Sequence, residues 1–175
     1  MENRSISRDS TIYNYTLIRK INVRIPFVGL YGLSLAIAAT LAGQHYGEQG
    51  LKALLASFVT IPLLHYIIVR LSIFFTDEVH LHEWSFCLLL PWFGYQPVGY
   101  VSFSKYCNLL HQTFWIGTAA ACLGYVWVPQ VYTLAFIFTH LWLILPRYVV
   151  FIRFRKLKAG GLLRFSHKDA SYYLT

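Results

Sequence analysis

Apolar residues run almost unbroken over three stretches of the chain: Ile25 to Gly43, Ala53 to Phe75, and Asn108 to Ile152, the last interrupted only by Pro129. A helix needs roughly 20 apolar residues to cross a hydrocarbon core about 30 Å thick. The first two stretches, of 19 and 23 residues, each reach that length, and the third is about twice as long. Proline ends or kinks a helix and restricts the residue before it, so Val128-Pro129-Gln130 predicts a tight hairpin inside the third stretch. The pattern therefore predicts an all-α membrane protein with four transmembrane helices, over about 25–44, 53–75, 108–128 and 130–152. A tail, 1–24, precedes this transmembrane domain at 25–152, and a second tail, 153–175, follows it.

Between helices two and three, Thr76 to Cys107 is too polar and too broken by Pro91 and Pro97 to span. Val79 to Phe86 alternates in a strand-like way, and Gly94 to Phe103 has strand composition around turn residues. Cys87 to Trp92, between them, is apolar enough to dip into an interface. A cytoplasmic β-hairpin or short re-entrant loop is expected here. Backbone at membrane depth is tolerated where protein buries it or where it lines a water-filled cavity, so this segment should cover the mouth of the bundle.

Composition agrees with lipid as the solvent: 57% of residues are hydrophobic and 13% charged, against roughly 25% charged in soluble domains. The charge is also placed unevenly. Of 15 Lys and Arg, five lie within the first 24 residues and seven from Arg147 onward. The positive-inside rule then sets both tails in the cytoplasm, which an even number of spans permits. The first 24 residues are polar and basic, with no small-residue cleavage site after the first apolar run, so helix one is expected to stay as an anchor. A net charge of +8 reads as topology-setting and as attraction to anionic headgroups at roughly 1 kcal/mol per residue near the surface; nucleic acid is not an expected partner. Arg153, Arg155, Lys156 and Lys158 are the candidates for docking lipid or a cytoplasmic partner. Cys87, Cys107 and Cys122 show no CxxC spacing and read as small apolar fillers rather than a disulfide framework or zinc knuckle.

Ser34, Ala38 and Ala42 fall four apart on helix one, near Gly29, and helix three carries Gly117, Ala121 and Gly124. Small residues let backbones approach where lipid supplies no hydrophobic drive. Such faces suit either internal packing or a partner subunit. The 13 Tyr, 13 Phe and 5 Trp are accounted for by interfacial aromatic belts, although a quinone or lipid site would use aromatics too.

Few residues carry chemistry. His65 and His140 each lie about ten residues from the ends of their spans, near one depth. Polar groups there face the bundle interior and find partners. Two coplanar imidazoles could ligate haem iron, bind a metal or relay a proton, or hydrogen-bond to each other or to Ser57, Thr60 and Thr139. Arg70, near the cytoplasmic end of helix two, and Arg147, after Pro146, either snorkel to headgroups or pair with loop carboxylates. His80, His82 and Glu83 form an HxHE cluster whose histidines would share one strand face, with His111 the nearest third ligand for a metal.

The order spanning helix, β-hairpin and two spanning helices with a polar centre resembles the minimal site-2-protease-like intramembrane metalloproteases. The likeness covers roughly 53–155 and rests on Pro62-Leu63-Leu64-His65, the run Gly99-Tyr100-Val101-Ser102-Phe103-Ser104-Lys105, and the polar point in helix four. Those enzymes need HExxH, in which two histidines hold zinc and the glutamate activates water. Here Tyr66 stands in place of the glutamate and Val69 in place of the second histidine, and the last helix offers His140 in place of an aspartate. The resemblance thus implies a catalytically inactive relative. The residues themselves favour a non-enzymatic accessory or scaffold subunit that packs with other membrane proteins or with itself. The alternative is a haem-, quinone- or ion-handling channel or transporter built on His65 and His140.

Overall fold

The computed structural model describes residues 15–76, 84–157, 160–166 and 169–174. Its elements run β1 (Thr16–Asn22), α1 (Ile25–Thr76), β2 (Trp84–Cys87), β3 (Gly94–Pro97), β4 (Tyr100–Ser102), α2 (Phe103–Leu123), a 3-10 turn at Gly124–Val126, α3 (Gln130–Phe154), β5 (Leu162–Ser166) and β6 (Asp169–Leu174).

A straight helix of 52 residues would extend about 78 Å at 1.5 Å per residue. Instead α1 folds back on itself. Tyr31 and Phe58 both pack against the Trp142 ring, at centroid separations of 4.0 and 5.6 Å. The reversal sits at Gly47, whose φ of 59° and ψ of −139° are helix-breaking and suited to a residue without Cβ. Three residues on, Gly50 lets the returning arm touch the outgoing one, since a methyl group there would run into the Ala42 carbonyl. Glu48 opens the second arm and pairs with Lys52 one turn later, at 2.7 Å.

α3 is the central post. Its faces pack on both arms of α1 and on α2, with Tyr31, Ile61, Trp142 and Leu143 in one apolar cluster and Ala53, Val131 and Ala135 in another. Beyond α2, the 3-10 turn and Pro129, which caps α3, close a short connection. The segment outlined by Pro91 and Pro97 forms an antiparallel hairpin in which Trp84 pairs with Pro97 and Cys87 with Gly94.

The remaining strands make an antiparallel sheet in the order β1-β6-β5-β4. It lies where α1 and α2 begin and α3 ends. Leu163, Phe165, Ala170 and Tyr172 project from it into the same core as Phe103 and Phe154, and the Phe103 N–H donates to the Gly161 carbonyl at 2.9 Å. The first and last strands are neighbours, with Thr16 opposite Leu174 and Asn22 opposite Asp169. Lys20 bridges to Asp169 across that pair at 3.4 Å.

This overturns the expected all-α bundle of four transmembrane helices. Among the described residues there are three helices and six strands, and two of the helices, α1 and α3, are long and apolar enough to cross a membrane. The segments expected as first and second spans are the two arms of α1. The expected span 108–128 is displaced: α2 starts at Phe103 and ends at Leu123, and Ser104, Lys105, Asn108, His111 and Gln112 dilute its apolar character. Strands also occupy parts of both basic tails. Hydropathy reports which residues avoid water, whereas strands in short amphipathic stretches depend on pairing partners remote in sequence.

Candidate functional site

The polar centre lies between the second arm of α1 and α3. His65 Nε2 and His140 Nδ1 are 2.8 Å apart, with both side chains about 1% exposed. His140 Nε2 lies 3.2 Å from the Phe114 carbonyl and 3.2 Å from Thr118 Oγ1. A carbonyl oxygen can only accept, so His140 carries its proton on Nε2. Its Nδ1 is then the acceptor, and His65 donates from Nε2. The remaining ring nitrogen, His65 Nδ1, is a buried lone pair without a hydrogen-bond partner. Gly117 makes this geometry possible: a methyl group there would collide with the His140 imidazole. The small residue predicted to bring helices together therefore serves to admit a ring.

Two further links tie the same helices. Ser57 and Thr139 hydroxyls meet at 2.6 Å, and Ser57 also bonds the Leu54 carbonyl at 2.6 Å. Since Ser57 donates to that carbonyl, Thr139 donates to Ser57. Further along, Tyr31 Oη donates to the Trp142 carbonyl at 2.8 Å. In an uninterrupted helix this carbonyl would take the N–H four residues later, but Pro146 occupies that place and has none. Trp142 Nε1 returns the link to Ser34 Oγ at 3.0 Å and to the Tyr31 carbonyl at 3.3 Å, and the two rings stack. Sequence inspection missed this lock. The signal for it was the four-residue spacing of Trp142 and Pro146.

Other expected site residues lie elsewhere. His111 bonds the Cys107 carbonyl of its own helix through Nδ1 at 2.7 Å and packs against Tyr148 and Phe151. Thr60 likewise bonds its own helix, at Ala56. Arg70 is exposed, its guanidinium 5.9 Å from the centre of the Tyr66 ring. His80, His82 and Glu83 fall outside the described residues, as does Lys158; Arg153, Arg155 and Lys156 are exposed. Among the described residues no three His, Cys, Asp or Glu side chains gather as a metal site would require.

Arg147, expected to snorkel, is buried at 7% exposure. Its Nη2 donates to the Phe93 carbonyl at 3.3 Å, and no carboxylate pairs with it among the described residues. Gly94, at φ +109°, lies against it, with Nη2 3.0 Å from where a Cβ would stand. The side chain reaches inward from α3 to hold the β2–β3 hairpin against it. In the region of resemblance, Tyr66 packs on Phe86 and Tyr95 and Val69 is core. Neither brings an acid or base to His65.

Comparison with family models, with curated proteins and with solved structures finds no match to this chain. What the site can do is therefore argued from its geometry. Both Nε2 atoms, the usual ligating positions, are engaged within the protein. The arrangement joins helices in a low-dielectric interior, where an unpaired imidazole would be costly.

Proposed function

We propose that this chain is a multi-pass integral membrane protein with both termini cytoplasmic, acting without catalysis as an accessory or scaffold subunit for partner membrane proteins. The observation that carries this reading is the His65–His140 hydrogen bond: the chemistry-bearing groups of the interior close on each other. The outside of the helices is the available surface. Leu51, Leu55, Val59, Leu63, Ile67 and Leu71 recur every four residues along the second arm of α1, all exposed, and a face this long and apolar is covered by lipid or protein. Orientation is supported by charge at the sheet end, where Arg19, Arg24, Arg153 and Arg155 are exposed, while Lys52 at the far end is paired with Glu48.

Extraction of membranes at alkaline pH tests residence in the bilayer, and the chain is expected in the pellet. Purification in mild detergent with cross-linking from residues 55 and 63 tests the accessory role. A discrete membrane protein joined at these positions is the expected product, and a chain that purifies alone and uncross-linked overturns it. The rival haem reading needs the histidine pair to open. A Soret band lost in both His65→Ala and His140→Ala would establish it in place of the first.

A further inference from the structure

Two cavities follow one another along the seam between the first arm of α1 and α3. The first, of about 530 Å³, lies where β1 feeds into α1 and is rimmed by Arg19, Lys20, Arg24 and Arg153 over a floor that includes Phe27 and Trp92. The second, of about 400 Å³, is apolar and runs from Phe27 and Leu145 toward Phe138. Phe27 lines both.

Among the described residues the cationic end is neutralised only in part. Lys20 is held by Asp169, but Arg19, Arg24 and Arg153 have no ion pair among the described residues. Trp92, 3% exposed, closes the floor beneath them. These guanidinium groups form a donor set for phosphate oxygens. The neighbouring trough offers the opposite chemistry. Its two hydroxyl residues are already bonded, Ser34 to the Tyr31 carbonyl and the Trp142 indole and Tyr31 to the Trp142 carbonyl, so aliphatic and aromatic walls remain. From Arg153 back to Phe138 is fifteen residues of α3, about 22 Å of helix. That length matches one headgroup plus one acyl chain in a leaflet whose hydrocarbon half is about 15 Å thick.

We propose that this seam binds one anionic phospholipid, its phosphate against Arg24, Arg153 and Arg19 and an acyl chain in the α1–α3 trough. The inference rests on the membrane reading above and adds a defined ligand to it. A zwitterionic lipid would bring its own cation to the rim, and a soluble phosphate would leave the trough empty.

Native mass spectrometry of the detergent-purified chain, titrated with dioctanoyl phosphatidylglycerol, dioctanoyl phosphatidylcholine or sodium phosphate, tests the proposal. One phosphatidylglycerol per chain is expected to be retained in preference to the other two. Arg24→Gln and Arg153→Gln, both at exposed positions, should each weaken retention roughly fivefold, whereas Arg155→Gln, in the same basic region but outside the cavity, should not change it. Leu145→Trp, which fills the trough, should weaken phosphatidylglycerol alone. Equal retention of phosphatidylcholine, loss in Arg155→Gln equal to that in Arg153→Gln, or full competition by sodium phosphate would each overturn the proposal. Alkaline extraction separates the two readings: a chain that stays in the pellet but ignores phosphatidylglycerol sinks this inference alone, and a chain that leaves the membrane sinks both.

Discussion

Gly117 illustrates how one missing carbon sets the interior. Only hydrogen fits between the α2 backbone and the His140 imidazole, so Gly117→Ala is expected to displace the ring and cost about 1–3 kcal/mol of overpacking. Thermal unfolding in detergent measures this, and an unchanged midpoint would show that the imidazole has room to move. The Tyr31–Trp142 lock gives a sharper test. Tyr31→Phe leaves the Trp142 carbonyl without its donor, at a cost of about 1–3 kcal/mol for a buried unsatisfied acceptor. Pro146→Ala restores a backbone N–H for that carbonyl, so the Tyr31→Phe penalty should shrink in the Pro146→Ala background. A double-mutant cycle of unfolding midpoints reads the coupling, and strict additivity would refute the assigned role of Pro146. At this scale the sequence was legible for His65 and His140, because position within an apolar run reports depth. It was not legible for Arg147, whose burial depends on the Phe93 carbonyl and the Gly94 backbone arriving from another element.

The two glycines of the α1 reversal differ in what they contribute. Gly47 needs its positive φ and has open space around it, while Gly50 abuts the Ala42 backbone. Gly47→Ala should therefore cost only backbone strain, about 1–3 kcal/mol. Gly50→Ala should be more damaging, because a carbonyl on a packed helix cannot step aside. Comparing the folded fractions of the two variants decides the matter, and equal effects would mean that arm contact is not what Gly50 protects. The strands of the tails were also written in the chain. Leu163 and Phe165 alternate with Arg164 and Ser166, and Ala170 and Tyr172 flank Ser171, a period-two pattern. Their basic content matches topology-setting tails equally well. That reading describes the charge while leaving the backbone hydrogen bonds unassigned.

For the molecule as a whole, the β1–β6 pairing holds the first and last strands side by side in one sheet. Cys122 is exposed near the opposite end of α2, whereas Cys87 is buried and Cys107 half-buried. In intact cells a membrane-impermeant maleimide is expected to label Cys122, while epitope tags at either terminus should be reached only after permeabilisation. Tags exposed on opposite faces would be incompatible with the sheet and with cytoplasmic termini together. Apolar segments and charge asymmetry were readable from composition because hydropathy and charge belong to each residue singly. The sheet was not, because it joins residues about 150 positions apart.

That joining has a consequence for biogenesis. β1 is synthesised before all three helices, and its hydrogen-bonding neighbour β6 after them. The helices are therefore complete before the sheet can close, and its closure acts as a late clasp. A nascent chain stopped before β6 would carry all three helices with an unzipped edge, a ready signal for quality control to recognise.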